Sequence, residues 1–90
     1  METAAVQIVL IHSSPPCDKC ITAKRIALEM VERFAPAVAL KELDAMDEEA
    51  DAYGVLMTPT IIVNDIVLGV GRAPDKQHLE GLIRELLGGA

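Results

Sequence analysis

The segment Ala5 to His12 (AVQIVLIH) is an almost unbroken aliphatic run, stopped at once by Ser13-Ser14-Pro15-Pro16. A strand with apolar residues at successive positions has two faces to bury, so it belongs inside a sheet covered on both sides. A chain of 90 residues has room for one such sheet and a few helices. The expectation is a single α/β domain over residues 1–90. The hydrophobic fraction of 51% supports a packed core and argues against disorder.

The proline break cannot continue a strand but suits the start of a helix. Cys17 to Phe34 reads as that helix, with Cys20, Ala23, Ala27, Met30, Val31 and Phe34 forming one apolar stripe. Pro36 ends it. Val38 to Leu43 reads as a second strand. Asp44 to Asp51 holds five acids in eight residues. Asp44 is the expected N-cap of a short acidic helix, with Asp47, Glu48 and Glu49 in its first turn and an end near Tyr53-Gly54. Thr60 to Val63 and Ile66 to Val70 read as strands joined by an Asn64-Asp65 turn. Pro74-Asp75 starts a final helix with the stripe Leu79, Leu82, Ile83, Leu86 and Leu87, stopped by Gly88-Gly89. The order is β-α-β-α-β-β-α. A helical crossover makes the first two strands parallel, and the hairpin makes the last two antiparallel. The result is a four-stranded mixed sheet with helices on both faces.

Charge and cysteine usage narrow the function. A net charge of −6 argues against a general nucleic-acid binder. Glu2 stands where a signal peptide would be basic, no Lys or Arg precedes Lys19, and the run from Val6 to Ile11 is too short to span a membrane. A soluble, cytoplasmic, monomeric protein with no nucleic-acid or membrane partner is expected. Two cysteines are too few for a disulfide scaffold or a four-cysteine metal site. They sit at Cys17 and Cys20, where a bond would close a very small loop and stabilise little. In a reducing compartment such a pair serves chemistry or metal binding.

Cys17-Asp18-Lys19-Cys20 lies where the first strand feeds the first helix. Cys17 is at or near the first helical residue, close to free backbone N–H groups and the positive end of the helix dipole, which favour thiolate over thiol. Lys19, Lys24 and Arg25 add positive charge locally; Asp18 opposes it. Cys20, a turn further on, faces the core stripe and is expected to be less exposed, with the higher pKa. This asymmetry suits thiol–disulfide exchange, in which an exposed thiolate attacks and a protected thiol resolves. A soft-metal module holding Cu(I) on the same thiolates stands as an alternative, though copper-chaperone domains run β-α-β-β-α-β. A redox-inactive docking domain is a third reading, with Asp44–Asp51 as its contact. His12 reads as a partly exposed strand residue, His78 as a residue on the face of the last helix, and neither spacing ties it to the cysteines as a metal ligand. Pro59, in Met57-Thr58-Pro59-Thr60, is tolerated at the start of a strand.

Taken together, Cys17-x-x-Cys20 at a helix start, Thr58-Pro59 before a hairpin, Gly71 and the element order resemble the thioredoxin fold superfamily across essentially the whole chain. The compact form is similar to small glutaredoxin-like redox-active disulfide proteins. The resemblance implies a dithiol–disulfide oxidoreductase, with Cys17 as nucleophile, Cys20 as resolving thiol and Pro59 as a cis proline beside them. It implies that the Thr58 backbone pairs with an extended substrate segment. No cofactor is implied beyond a redox-active Cys17–Cys20 disulfide. The partners would be a disulfide-containing protein or small molecule, with a reductase or glutathione as electron donor. The sequence also departs from the pattern. Thioredoxins carry Trp before Cys-Gly-Pro-Cys, where this chain has Pro16 and then Asp18-Lys19 between the cysteines. A buried acid six residues before the nucleophile is replaced by Ile11. The Gly-Gly of glutathione-binding glutaredoxins is replaced by Gly69-Val70-Gly71-Arg72, with Arg72 available to a carboxylate. With Phe34 and Tyr53 far from Cys17, a substrate surface would be built from aliphatic residues, Pro15, Pro16, Pro59 and backbone.

Overall fold

The computed structural model describes residues 5–15, 17–54 and 57–88. Pro16 and Gly89, which figure in the expectations above, lie outside them. The elements are β1 (Val6–His12), α1 (Asp18–Phe34), β2 (Val38–Asp44), α2 (Glu48–Asp51), β3 (Thr60–Val63), β4 (Ile66–Val70) and α3 (Lys76–Leu86).

The sheet runs β2-β1-β3-β4. β1 is parallel to β2 in a register that pairs Val6 with Val38 and His12 with Asp44. It is antiparallel to β3, which pairs Ile11 with Thr60. The β3–β4 hairpin turns at Asn64 and Asp65, both at positive φ (45° and 73°). Short polar side chains tolerate that region, so the turn forms without the expected glycine.

The alternation of β1 divides its side chains between two cores. Val6, Ile8 and Leu10 pack with Ala23, Ala27 and Met30 of α1 and Leu79 and Ile83 of α3. Val9 and Ile11 face the other way, against Leu43, Ala50 and Ile62. Each buried aliphatic side chain is worth roughly 1.5–3 kcal/mol, which is why β1 is apolar at successive positions. The helices do cover both faces, but unequally: α1 and α3 on one, the single turn of α2 on the other.

The acidic segment departs from expectation. Asp44 is not a helix N-cap; it is the last residue of β2, still level with His12, and Ala45 N–H donates to the His12 carbonyl at 2.8 Å. A residue held in the ladder cannot also begin a helix. Its carboxylate instead accepts from Met46 N–H at 2.8 Å, while Asp47 accepts from Asp44 N–H at 3.0 Å. Asp47 is the N-cap of α2, with no side-chain cap bond. Ala50, 1% exposed, is the one residue of α2 that reaches the core. That small contact is too little to extend the helix beyond one turn.

Candidate active site

The C-terminal end of β1 passes through residues 13–17 into α1. Cys17 is the N-cap of α1, with extended backbone (φ −80°, ψ 170°). Its sulfur stands where a capping oxygen normally sits and accepts from Cys20 N–H at 3.3 Å. Cys17 is exposed and Cys20 only 1% exposed. Both are free thiols, with their sulfurs 2.9 Å apart.

Ser13 completes the surroundings of Cys20. Its hydroxyl donates to the Pro15 carbonyl at 2.9 Å and lies 3.8 Å from Cys20 Sγ. In that longer contact either atom can be the donor. His12 Nδ1 lies 2.9 Å from the Ser13 carbonyl. A carbonyl can only accept, so Nδ1 carries a proton, and in the neutral ring the lone pair is on Nε2.

The expected higher pKa of Cys20 is corrected here. Burial, the largest single influence, pushes the thiol up. Hydrogen bonds from the Cys17 thiol, from the Ser13 and Cys17 backbones and from the Ser13 hydroxyl together outweigh it, lowering Cys20 from 9.0 to about 7. One proton lies between two sulfurs, so the first ionisation belongs to the dithiol rather than to either member. Of the nearby cations, Lys24 is held by Glu42 at 3.3 Å, which offsets part of the positive charge expected around the cysteines.

Continuing the β1–β3 register past Ile11 and Thr60 brings Thr58 and Pro59 to the end of the sheet that carries His12 and the cysteine loop. The Thr58–Pro59 peptide bond is cis, as are Ser14–Pro15 and Ala35–Pro36. Gly71 N–H donates to the Pro59 carbonyl at 2.8 Å, and Thr60 Oγ1 donates to the Met57 carbonyl at 2.7 Å. Gly71 has φ +77°, and a Cβ there would lie 2.9 Å from Met57 Cε. The backbone angle demands glycine, whereas the end of the flexible Met57 side chain could shift aside for a Cβ. The two carbonyls flanking Thr58 are thus engaged, while its own N–H and C=O have no partner among the described residues. Pro59 is fully buried, so its ring is not part of an outer surface. Ile21 and Met57, 58% and 57% exposed, supply apolar surface at this end.

A cavity of about 380 Å³ opens beside the dithiol, lined by Leu10, His12, Cys20, Ile21, Lys24 and Glu42. By sequence alone His12 is an ordinary strand residue and Ser13 a strand breaker. The available signal was their position, immediately before the cysteine loop on a strand whose even-numbered side chains face α1. Arg72 is elsewhere, in a separate groove of about 360 Å³ with Gly69, Asp75 and His78. Among the described residues, no group of three or more His, Cys, Asp or Glu side chains is arranged to hold a metal. Among them, too, no helix is long and apolar enough to cross a membrane.

A cysteine-capped helix, a second thiol buried beneath the first and a proline loop at the same end of a β2-β1-β3-β4 sheet define the class of thioredoxin-fold dithiol proteins. A family model described as thioredoxin domain matches residues 5–84. The thioredoxin of Methanocaldococcus jannaschii is 33% identical over 79 residues, 86% of this chain and 92% of the relative. A probable thioredoxin of Methanothermobacter thermautotrophicus is 31% identical over 71 residues, 77% of this chain and 82% of the relative. Among solved structures, thioredoxin-2 of the malaria parasite superposes with a TM-score of 0.74 at 20% identity, covering 94% of this chain and 85% of that one. A mutant thioredoxin of Halobacterium salinarum superposes with a TM-score of 0.72 at 20% identity, covering 92% and 75%. This chain belongs to the thioredoxin family, and its homologues support a thiol–disulfide oxidoreductase function.

Proposed function

We propose that the chain reduces or exchanges disulfides through Cys17 and Cys20, with Cys17 as nucleophile and Cys20 as resolving thiol. The observation that carries this is the pair of free sulfurs 2.9 Å apart, one exposed at a helix N-cap and one buried below it. The thiolate of Cys17 attacks one sulfur of a substrate disulfide; a bond forms to Cys17 and the substrate S–S bond breaks, its electron pair leaving on the second sulfur. Cys20 then attacks Cys17, releasing the other half of the substrate as thiolate and leaving the Cys17–Cys20 disulfide. The substrate gains two electrons and the dithiol loses two.

The Cys20 N–H and the positive end of a 17-residue helix face the Cys17 sulfur, where negative charge sits before attack and returns on reversal. The Thr58 backbone, without a partner among the described residues, is suited to pair with an extended substrate segment, a mode that tolerates varied sequences. No cofactor beyond the dithiol is needed. The electron donor would be a disulfide reductase or glutathione, and a reducing cytoplasm would suit the cycle. The test is a Cys20→Ser variant incubated with a disulfide-bonded protein. A mixed disulfide through Cys17 is expected to accumulate. Wild-type protein without thiol exchange, or a variant that traps nothing at Cys17, defeats the reading.

A further inference from the structure

A buried thiol that must attack needs somewhere to leave its proton, and the reaction itself removes the help that Cys20 has in the reduced protein. Once Cys17 is bonded to substrate its sulfur has no proton to donate. The hydrogen bond from Cys17 is the largest of the influences that lower Cys20, whereas burial, which raises it, persists. Cys20 is therefore driven back toward its protonated form in the mixed disulfide, at the step where it must act as nucleophile.

The candidates to accept that proton are few. The Ser13 hydroxyl already donates to Pro15 and is far too weak a base. Lys24 and Glu42 line the cavity beside Cys20 but are paired with each other. His12 lines the same cavity, half buried. Its Nδ1–H is committed to the Ser13 carbonyl, and Nε2 has no hydrogen bond to any described residue. The titratable and charged groups around the ring are Cys20 and Lys24 from α1 and Glu42 and Asp44 from β2; β3, on the other side of β1, brings none.

We infer that His12, through its Nε2 and a water in the cavity, takes the proton of Cys20 as Cys20 resolves the mixed disulfide. A cavity of about 380 Å³ has ample room, since a water occupies roughly 30 Å³ in the liquid. In this step the Cys20 S–H bond breaks, its proton passes to Nε2, and the sulfur's electron pair forms the bond to Cys17. The substrate sulfur leaves with the pair of the broken bond, and the imidazolium later returns its proton to solvent. The inference rests on the dithiol reading above.

The experiment is stopped-flow reaction of the reduced protein with excess 5,5′-dithiobis(2-nitrobenzoate). The first equivalent of thionitrobenzoate reports attack and the second reports resolution by Cys20. In His12→Gln the second phase should slow by roughly tenfold or more at pH 7 and climb with pH where the wild type has levelled off, while the first phase changes little. In the unaltered protein, the ¹⁵N shift of His12 Nε2 should follow a different titration curve in the reduced protein and in the Cys17–Cys20 disulfide form. This second measurement decides the matter if His12→Gln fails to fold. A two-equivalent wild type with an unchanged second phase in His12→Gln overturns the role of His12 alone, as do superimposable His12 titrations in the two redox forms. Release of a single equivalent by the wild type overturns the dithiol reading and this inference with it.

Discussion

Two strand-to-helix junctions lie at one end of the sheet, because β1 and β2 are parallel neighbours. After β1 the chain breaks at serine and proline and enters a helix of 17 residues, of which Cys20, Ala23, Ala27 and Met30 are buried. After β2 it turns through Asp44–Asp47 into a helix of four residues with only Ala50 buried. Both junctions begin with a residue of extended backbone, and both put acid in the first turn. What separates them is packing. A long helix pinned along one face holds its N-terminus, and any sulfur capping it, at a fixed place over the sheet. A single turn held by one alanine cannot fix a reacting atom in that way.

The sharpest way to break this contrast is to remove the cap at each junction. Cys17→Ala should abolish disulfide turnover, read as insulin reduction in the presence of a thiol reductant. Asp47→Ala should leave turnover near the wild-type value. Loss of turnover in Asp47→Ala would mean that the acidic junction takes part in the site. Packing comes next. Met30→Ala, at a fully buried position of α1, should cost about 2–5 kcal/mol in urea unfolding. Ala50→Gly in α2 should cost about 1 kcal/mol. Comparable losses would show that the second face is as important to the fold as the first.

A pH dependence between pH 7 and pH 9 belongs to the cysteine junction. Cys20 is lowered from 9.0 to about 7 in the folded, reduced protein, so between those values the unfolded chain binds more protons than the native one. Stability from this source is present in full above pH 9 and is lost as pH falls through 7. The reduced protein should therefore gain stability between pH 7 and pH 9 relative to the Cys17–Cys20 disulfide form, which has no thiol to titrate. Urea midpoints of both redox forms across that range test it, and parallel curves would show that the two thiols do not share their proton in the folded state.

Much of the cysteine junction can be read in the sequence. A short aliphatic, β-branched run stopped by prolines reads as a covered strand, and a Cys-x-x-Cys pair after a proline break places one thiol at a helix start and the other one turn inside. The acidic junction misleads, because five acids in eight residues resemble a capped helix whichever Asp does the capping. The ladder decides that: Asp44 is held by β1, and nothing in its own neighbourhood of sequence says so. The Cys20 proton is hidden from the sequence for a related reason. Burial is legible from the apolar stripe, but the hydrogen bonds that outweigh it come from Ser13 and from a sulfur three residues away, whose positions only the folded turn defines. The cavity is less legible still, since Leu10, Cys20 and Glu42 meet only through the β1–β2 register and the lie of α1 across it.

The smallest effects concern two ion pairs on neighbouring residues of β2. Lys41 and Glu42 point to opposite faces of the strand; Lys41 reaches Glu49 of α2, and Glu42 reaches Lys24 of α1. All four side chains are between one third and one half exposed, from 36% for Glu42 to 50% for Glu49, so neither pair should matter much to stability. Lys41→Met is expected to leave both the urea midpoint and disulfide exchange close to wild type. Lys24→Met should be equally mild in urea, with a loss of about 0–1 kcal/mol. It differs in what it leaves behind, an uncompensated Glu42 carboxylate on the wall of the Cys20 cavity. A negative charge there opposes the thiolate of Cys20, so resolution should slow a few-fold at low ionic strength and recover as salt screens the carboxylate. Equal silence of the two variants in the exchange assay would mean that the cavity wall is as remote from the chemistry as α2. A salt-dependent slowing confined to Lys24→Met would locate the electrostatics of the second step on the α1 side of the edge strand.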